Sequence, residues 1–359
     1  MLIEKPRLPV KDILLFGILP NFIKKMVYRL KGYKIGKNVS IGFGSIVDAK
    51  EVEIGDNTSI GFFTVIRGRK VRIGNYVTIG STTFLDTPHI EIGDGTKINE
   101  QVFVGGLQFP DSKFVIGRNC QIMQMSFINP ARSVTIGDDS GIGGHCLIFG
   151  HTSWLSIFEG YPVDFQPIDI GKSVSIAWGV FILPGSQIGD GAVIGARSVV
   201  TRVVPPRCLA VGFPARVVSK YPDFPTEVTD SQKIDFLKKI VNEMVTFFQD
   251  SNLLCSPNGN VYHVVSARKG WFGERRKEWR LGVSYGTEEK VNGMPSEMDV
   301  DVFLSLWAIP TSVRKHLGSR NIMWIDIEKK EQSSLTNDLG EEVLLFLRRY
   351  GVRFFRVEA

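Results

Sequence analysis

Paired cysteines and long apolar runs are the features most clearly missing from this 359-residue sequence. Its four cysteines, Cys120, Cys146, Cys208 and Cys255, include no CxxC pair, which argues against zinc ribbons, thioredoxin-like redox chemistry and a disulfide framework. Glycine loops of the Walker or dinucleotide-binding type are absent as well. A composition of 43% hydrophobic and 22% charged residues argues against a disordered chain and against a polytopic membrane protein.

Negative charge is scarce at the N-terminus. Residues 1–40 contain nine Lys or Arg but only Glu4 and Asp12, whereas the rest of the chain has 34 basic and 35 acidic residues. Because residues 41–359 are nearly neutral, a nucleic-acid-binding groove over the main fold is not expected. The basic N-terminal segment is expected to be attracted to an anionic surface.

The N-terminal segment, residues 1–34, is too polar to be a membrane span. The apolar run Ile13–Leu19 is interrupted by Pro20, far short of the ~20 apolar residues that a spanning helix needs, and no cleavage site follows it. Apolar residues then recur at helical spacing between Phe22 and Leu30, with basic residues among them, which predicts an amphipathic helix. It either packs on a neighbouring domain or subunit, or makes peripheral contact with the inner membrane. We expect a cytoplasmic protein.

Residues 35–219 are dominated by one repeat. Aliphatic residues recur every six positions in eight triplets, and most are followed by a small or polar residue. The triplets begin at Ile35, Ile54, Ile73, Ile92, Ile116, Ile136, Ile170 and Ile188. This period predicts a triangular coil with one inward side chain per face, the small residue turning each corner and strands stacked about 4.8 Å apart. Residues near the corners include Asn38, Asn57, Asn75, Gly95 and Asn119.

The repeat resembles that of the hexapeptide-repeat acyltransferases, in particular the maltose and galactoside O-acetyltransferases and the enzymes that acetylate polysaccharides. The match is most specific in "VTIGDDSGIGGHCLIFGHTSW" from Val134 and in "ILPGSQIGDGAVIGARSVVTRVVPP" from Ile182, which "GFPA" follows. The resemblance implies a mainly β protein, folded as a left-handed parallel β-helix over residues 35–219. It also implies a homotrimer with active sites between subunits, acetyl-CoA as acyl donor, a carbohydrate acceptor and no metal.

Two interruptions of the repeat, Gly105–Val115 and Phe149–Asp169, are candidate functional loops. Acyl transfer to a hydroxyl needs a base that works near neutral pH, and imidazole, with a pKa of ~6.5, is suited to that task. His151, at the start of the second loop, matches the position of the family's catalytic histidine. His145, inside a repeat, and His89 are weaker candidates.

The resemblance also implies partners for His151. Asn129 matches the family's asparagine beside the histidine, although its spacing to Ile136 is shorter than in the sugar acetyltransferases. The backbone amide near Trp178 would bind the oxyanion, in a stretch where the family's "WIG" is replaced. Glu159 and Asp164 share the histidine loop, and the sequence favours neither as a carboxylate partner. The family's coenzyme A contacts fall on Ala177, Ala196, Arg197, Thr201, Arg202 and Arg216.

The last 140 residues, 220–359, predict a separate α+β domain of unknown role. Helical spacing marks residues 231–250 and 338–350, and strands are predicted at 261–266, 300–309, 321–327 and 352–357. Four tryptophans fall here, and they could either build a small core or stack on sugar rings. The four are Trp271, Trp279, Trp307 and Trp324.

We therefore expect an acetyl-CoA-dependent O-acetyltransferase that modifies a sugar hydroxyl of a bacterial capsule or O-antigen, or its precursor, by direct transfer. N-acetylation of an amino sugar needs the same base and donor. A zinc lyase on a similar helix would need three metal histidines, and no convincing third lies one or two coils before His145 and His151. A non-enzymatic scaffold is the remaining alternative. The acceptor, the acyl length and the form of the acceptor stay open.

Overall fold

The computed structural model describes residues 9–270, 273–286 and 299–358, so Trp271 and the first eight residues of the basic segment lie outside the described part. Backbone contacts divide the chain into two units, Met1–Thr226 and Glu227–Ala359. Each unit has its own hydrophobic core, and each is described by itself.

Three sheets of short parallel strands form the walls of the first unit. Sheet 1 contains Lys34–Ile35, Glu51–Ile54, Lys70–Ile73, His89–Ile92, Lys113–Ile116, Ser133–Ile136, Ile168–Ile170, Gln187–Ile188 and Val203–Val204. Sheet 2 contains Ser40–Ile41, Ser59–Ile60, Thr78–Ile79, Lys97–Ile98, Gln121–Ile122, Gly141–Ile142, Ser175–Ile176, Val193–Ile194 and Cys208–Gly212, with Ala215–Lys220 antiparallel at its end. Sheet 3 contains Ile46–Asp48, Val65–Arg67, Phe84–Asp86, Phe103–Val104, Phe127–Asn129, Leu147–Phe149, Phe181–Ile182 and Val199–Val200.

One strand of each sheet in turn makes a coil, numbered 1 to 8 from Lys34. The six-residue period sets the register, because Ile35 pairs with Ile54, Ile41 with Ile60, and Val47 with Ile66. The predicted inward residues are buried in one continuous core, except Ile35, which is partly buried. The parallel β-helix predicted from the sequence is confirmed.

The glycine that follows many of the inward residues has a different role from the predicted one. A Cβ on Gly55 would lie 2.6 Å from a carbonyl carbon of the next coil, and one on Gly61 would lie 2.5 Å from a backbone nitrogen. These positions must be small because neighbouring coils approach so closely. The corner itself is turned two residues later, by a residue with positive φ such as Asn57 or Tyr76. Asn75, predicted near the left-handed position, instead accepts a hydrogen bond from the amide of Asp56.

The coils meet at three edges, named by the sheets that they join. Along edge 1–2, side chains accept hydrogen bonds from backbone amides of the previous coil. The Lys37 amide donates to the Asp56 carboxylate and the Asn75 amide to the Asp94 carboxylate, each over 2.7 Å. Along edge 2–3, the residues with positive φ include His145 and Arg197. Edge 3–1 is the one from which both long loops leave.

Two helical segments precede coil 1: Val10–Asp12 (α1), continued as a π-helical turn over Ile13–Gly17, and Asn21–Leu30 (α2). The predicted helix forms, but its buried residues are Lys24 and Tyr28 rather than the apolar ones. The Lys24 ammonium donates to the carbonyls of Gly42 and Ser45, and its burial lowers its pKa to about 8. Phe22, Met26 and Leu30 are 71%, 57% and 82% exposed in the single chain.

The second unit is an α+β fold built on a seven-stranded sheet in the described residues. The strands lie in chain order: Leu253–Asn258, Val261–Gly270, Gly273–Ser284, Val302–Ser305, Met323–Asp326, Glu331–Ser333 and Phe355–Val357. The helices in its described residues are Asp230–Asp250 (α3), Thr311–Ser319 (α4) and Asp338–Leu347 (α5), the last continued by a 3-10 turn over Arg348–Tyr350. Thr229 and Gln232 cap α3 reciprocally.

Three of the four tryptophans of the second unit fall in the described part. Trp324 and Trp307 are buried, at 0% and 8% exposure, and pack in its cores. Trp279 is half-buried and lines a cavity of about 700 Å³ with Lys277 and Asp338. Trp307 and Trp324 thus build cores, and stacking on a sugar ring stays a prediction for Trp279. None of the helices in the described residues is long and apolar enough to cross a membrane.

Candidate active site

Both interruptions of the repeat open at edge 3–1, two coils apart. The first loop, residues 105–112, leaves coil 4 after Val104, and the second, residues 150–167, leaves coil 6 after Phe149. Asn129 lies at the same edge of coil 5, between them. The repeat pairs Asn129 with Phe149 of the adjacent coil, and this brings His151, two residues after Phe149, close to Asn129.

His151 is held at both ring nitrogens. Its Nε2 lies 2.9 Å from the amide nitrogen of Asn129, and its Nδ1 lies 3.0 Å from the hydroxyl of Ser153. Asn129 is 3% exposed, and its Oδ1 has no hydrogen-bond partner among the described residues. The pair thus combines a fixed imidazole with a buried amide oxygen that still has hydrogen-bonding capacity.

Aromatic rings enclose the imidazole. The Phe165 ring stacks on the His151 ring with 6.2 Å between their centroids, and the centroid of the Phe149 ring is 6.0 Å from that of His151. Burial lowers the pKa of His151 below its ordinary value, since desolvation disfavours the charged ring. The imidazole is therefore neutral at neutral pH, which is the form that can accept a proton.

The pKa of His151 is expected to lie below its ordinary value in the native protein and to rise in Asn129→Asp, because a carboxylate beside the ring stabilises its charged form. Histidine titration by NMR, with His151→Ala identifying the resonance, measures both values. The same measurement on a protein with Asn129→Gln, which adds no charge beside the ring, is the control. A native His151 pKa above its ordinary value would contradict this description.

The two carboxylates of the second loop form no hydrogen bond with His151 in the described residues, although Asp164 pairs with Thr152, the next residue. Asp164 accepts a hydrogen bond from Gln166 at 2.7 Å, and Glu159 is exposed in a 3-10 turn over Ile157–Glu159. Neither has a recorded contact with His151 within the described residues; Ser153 takes the orienting position at Nδ1. The motif reasoning missed Ser153, although its place two residues after the histidine was a local signal.

Gly106 is a second residue that the sequence reasoning passed over. Its φ is +120°, and a Cβ there would lie 2.6 Å from the Asn129 amide nitrogen. Both the conformation and the close approach require glycine. The first loop is thereby pressed against Asn129, and its Phe109 packs edge-on against Phe165 at 5.0 Å. The two loops form one site.

The remaining predicted residues are divided between edges. Ala177 and Trp178 turn edge 2–3 of coil 7, and Ala196 and Arg197 turn the same edge of coil 8, where the Arg197 amide donates to the Trp178 carbonyl at 2.9 Å. The Trp178 indole lies 5.7 Å from the His145 ring. These residues are thus on a different edge from His151.

Thr201 and Arg202 are exposed at edge 3–1 of coil 8, the edge of His151. Arg216 is exposed on the antiparallel strand Ala215–Lys220, where it pairs with Val211. A single chain therefore gathers His151, Asn129, Thr201 and Arg202 along one edge, and leaves the others apart. Within the described residues, no group of three or more His, Cys, Asp and Glu side chains could hold a metal ion.

No protein-family model matches the sequence. A putative acetyltransferase of Schizosaccharomyces pombe is 36% identical over 118 residues, which cover 30% of this chain and 50% of that protein. Galactoside O-acetyltransferase of Escherichia coli is 37% identical over 114 residues, which cover 31% of this chain and 56% of the enzyme. The chain thus spans about half the length of these curated relatives.

Among solved structures, a polySia-specific acetyltransferase aligns with 55% of this chain and 92% of its own, at 20% identity and a TM-score of 0.32. That likeness carries no conclusion on activity. The sequence matches, in contrast, test the resemblance that the repeat and the histidine loop indicate. Part of this chain is similar to curated acetyltransferases, galactoside O-acetyltransferase among them, and the predicted resemblance is confirmed.

Proposed function

We propose that this protein is an acetyl-CoA-dependent O-acetyltransferase that acts on a sugar hydroxyl of a bacterial surface polysaccharide, such as a capsule or O-antigen, or of its precursor. The observation that carries the proposal is the contact of His151 with Asn129, enclosed by two loops on one edge of a repeat fold. The similarity to galactoside O-acetyltransferase supports the same reaction.

His151 is proposed as the general base. The acceptor hydroxyl takes the place of the Asn129 amide group at Nε2, and the neutral imidazole accepts its proton there while the hydroxyl oxygen attacks the thioester carbonyl. Ser153 holds Nδ1 and fixes the ring, and the orphaned Oδ1 of Asn129 orients the acceptor. As the new C–O bond forms and the C–S bond breaks, the thiolate takes the proton back from His151, so the histidine ends neutral. No covalent enzyme intermediate is needed.

Acetyl-CoA supplies the acetyl group as a thioester. Arg202 and Thr201, two coils beyond His151 on the same edge, are placed to contact its phosphate end, since a guanidinium pairs well with phosphate. The backbone near Trp178 is proposed to donate to the oxyanion, and Ala177, Ala196, Arg197 and Arg216 to contact the donor. Because edge 2–3 is separate from edge 3–1, a second copy has to bring these groups together, so we propose a homotrimer with sites between subunits.

The cellular setting follows from the same proposal. A polysaccharide precursor and acetyl-CoA meet in the cytoplasm, at the inner membrane where surface polymers are built. The exposed Phe22, Met26 and Leu30 of α2, with basic residues beside them, are proposed to make peripheral contact with that membrane.

The reaction is tested by thiol release from acetyl-CoA in the presence of a panel of bacterial polysaccharides and nucleotide sugars. Acceptor-dependent release is expected, with an ester in the product by mass spectrometry. An amide in the product would establish N-acetylation instead. No release with any acceptor, together with no binding of coenzyme A by calorimetry, would overturn the proposal and favour a scaffold role.

A further inference from the structure

A cavity of about 530 Å³ lies along edge 3–1, on the N-terminal side of the candidate active site. Coils 1, 2 and 3 contribute one charged residue each where their sheet 3 strands end, and the first loop closes over them. The main polar residues that line it are Asp48, Arg67, Arg69, Asp86, Thr87 and Gln108.

The lining is rich in hydrogen-bonding groups. The Arg67 and Asp86 side chains are only 13% and 22% exposed, and their charged atoms lie 3.9 Å apart, longer than a hydrogen-bonded pair. Thr87 is fully buried, and its hydroxyl has no hydrogen-bond partner among the described residues. A buried hydroxyl normally has a partner, so a ligand that supplies one would complete this cavity.

The first loop ties the cavity to the active site. The Gln108 amide donates to the Asp86 carbonyl, and the Arg69 guanidinium donates to the Pro110 carbonyl. The same loop presses Gly106 against Asn129 and packs Phe109 on Phe165, which stacks on His151. One short segment therefore walls the cavity and positions the proposed base.

Along edge 3–1, the residues proposed to contact acetyl-CoA and those of the cavity lie on opposite sides of His151. Asp86 is in coil 3, Asn129 in coil 5, His151 in coil 6 and Arg202 in coil 8. With coils about 4.8 Å apart, Asp86 lies roughly 10 Å from Asn129 along the edge. The proposed donor contacts lie on the other side of His151, so the cavity is on the side left for the acceptor.

We propose that this cavity is an acceptor subsite that binds sugar units beside the one that is acetylated, so that the acceptor is an oligosaccharide or polymer rather than a monosaccharide. The proposal rests on the proposed function. Two carboxylates, two guanidinium groups and an unpartnered hydroxyl suit the many hydroxyls of a glycan. The separation of roughly 10 Å exceeds what one sugar ring at the base can span.

The test compares initial rates on a bacterial polysaccharide that accepts acetyl groups and on its mono-, di- and tetrasaccharide fragments. Wild type should favour the tetrasaccharide and polymer. Asp86→Asn and Thr87→Val should both raise KM for these long acceptors. For Asp86→Asn the increase should be about 10-fold or more, which is the effect of losing a hydrogen bond to a charged group. The KM for acetyl-CoA and the rate on the monosaccharide should stay unchanged. Glu91→Gln, on the exposed outer face of sheet 1, is the matched control.

Two failures are distinguishable. If wild type transfers acetyl groups equally well to short and long acceptors and Asp86→Asn changes neither, the subsite is wrong while the proposed function stands. If wild type releases no thiol with any polysaccharide or nucleotide sugar of the panel and binds no coenzyme A, the proposed function fails, and affinity electrophoresis in gels containing those polysaccharides tests the cavity directly. Retardation that Asp86→Asn abolishes would support glycan binding, and no retardation of wild type would overturn it.

Discussion

His151→Ala is expected to lower kcat for acetyl transfer by roughly 10²–10⁴-fold, the range that a positioned general base contributes. Alanine removes the only ring on edge 3–1 that contacts both Asn129 and Ser153 in the described residues. The acceptor hydroxyl then has to lose its proton to water, while the donor contacts proposed at Arg202 and Thr201 are untouched. The KM for acetyl-CoA should therefore change little. Initial rates of thiol release at saturating acceptor measure the effect.

His145→Ala is the matched control for this variant. His145 is six residues earlier and is exposed at edge 2–3, away from the histidine loop at edge 3–1, so its removal leaves that loop intact. Calorimetric binding of coenzyme A and an unchanged circular dichroism spectrum would show that His151→Ala keeps its fold. A folded His151→Ala protein with wild-type kcat would rule out this histidine as the base.

The repeat fold was predictable because its signal recurs throughout residues 35–200. Each inward Ile or Val is one of many at the same phase, and the pairing of Ile54 with Ile73 follows from that phase alone. The edge that carries the site was predictable for the same reason, since insertions show where the period breaks. The proximity of Asn129 and His151 then follows from stacking rather than from their separation in sequence.

The interior of the site was not predictable in this way. Ser153, Gly106 and Phe165 reach His151 or Asn129 because two loops fold back on each other, and no periodicity governs those loops. The same limit applies to α2: its apolar spacing predicts the helix correctly but not the buried face. Two carbonyls of coil 1 bind Lys24, which places the apolar side outward.

In the second unit, the elements with strong local patterns were found and the others were missed. Helix α3 has a continuous apolar stripe and a capping pair, and its bounds differ by one residue from the prediction. Strand Gly273–Ser284 is charged over most of its length, and helix α4 buries only Val313 and Leu317. Pairing with neighbouring strands and packing on the sheet stabilise these elements, and neither is visible in a local window.

Phe114→Ala is expected to destabilise the β-helix by about 3–5 kcal/mol, the usual cost of removing a buried aromatic side chain. Phe114 is fully buried in sheet 1 of coil 5, between Ile90 and Val134 of the adjacent coils, and directly follows the first loop. A coil contacts only its neighbours, so the loss falls on the coils that hold both loops. Hydrogen exchange followed by mass spectrometry should show lost protection around residues 90–140, with a matching fall in transfer activity.

Phe62→Ala is the control for Phe114→Ala, because it removes an exposed phenylalanine instead of a buried one. Phe62 is 58% exposed at edge 2–3, so its removal should change stability by no more than about 0.5 kcal/mol. Peptides of α3 belong to the other unit, which has its own core, and should keep their protection in both variants. Wild-type protection of coils 4 to 6 in Phe114→Ala would mean that the stack does not depend on this ring. Lost protection throughout both units would mean that the chain unfolds as one cooperative body, which the separate cores argue against.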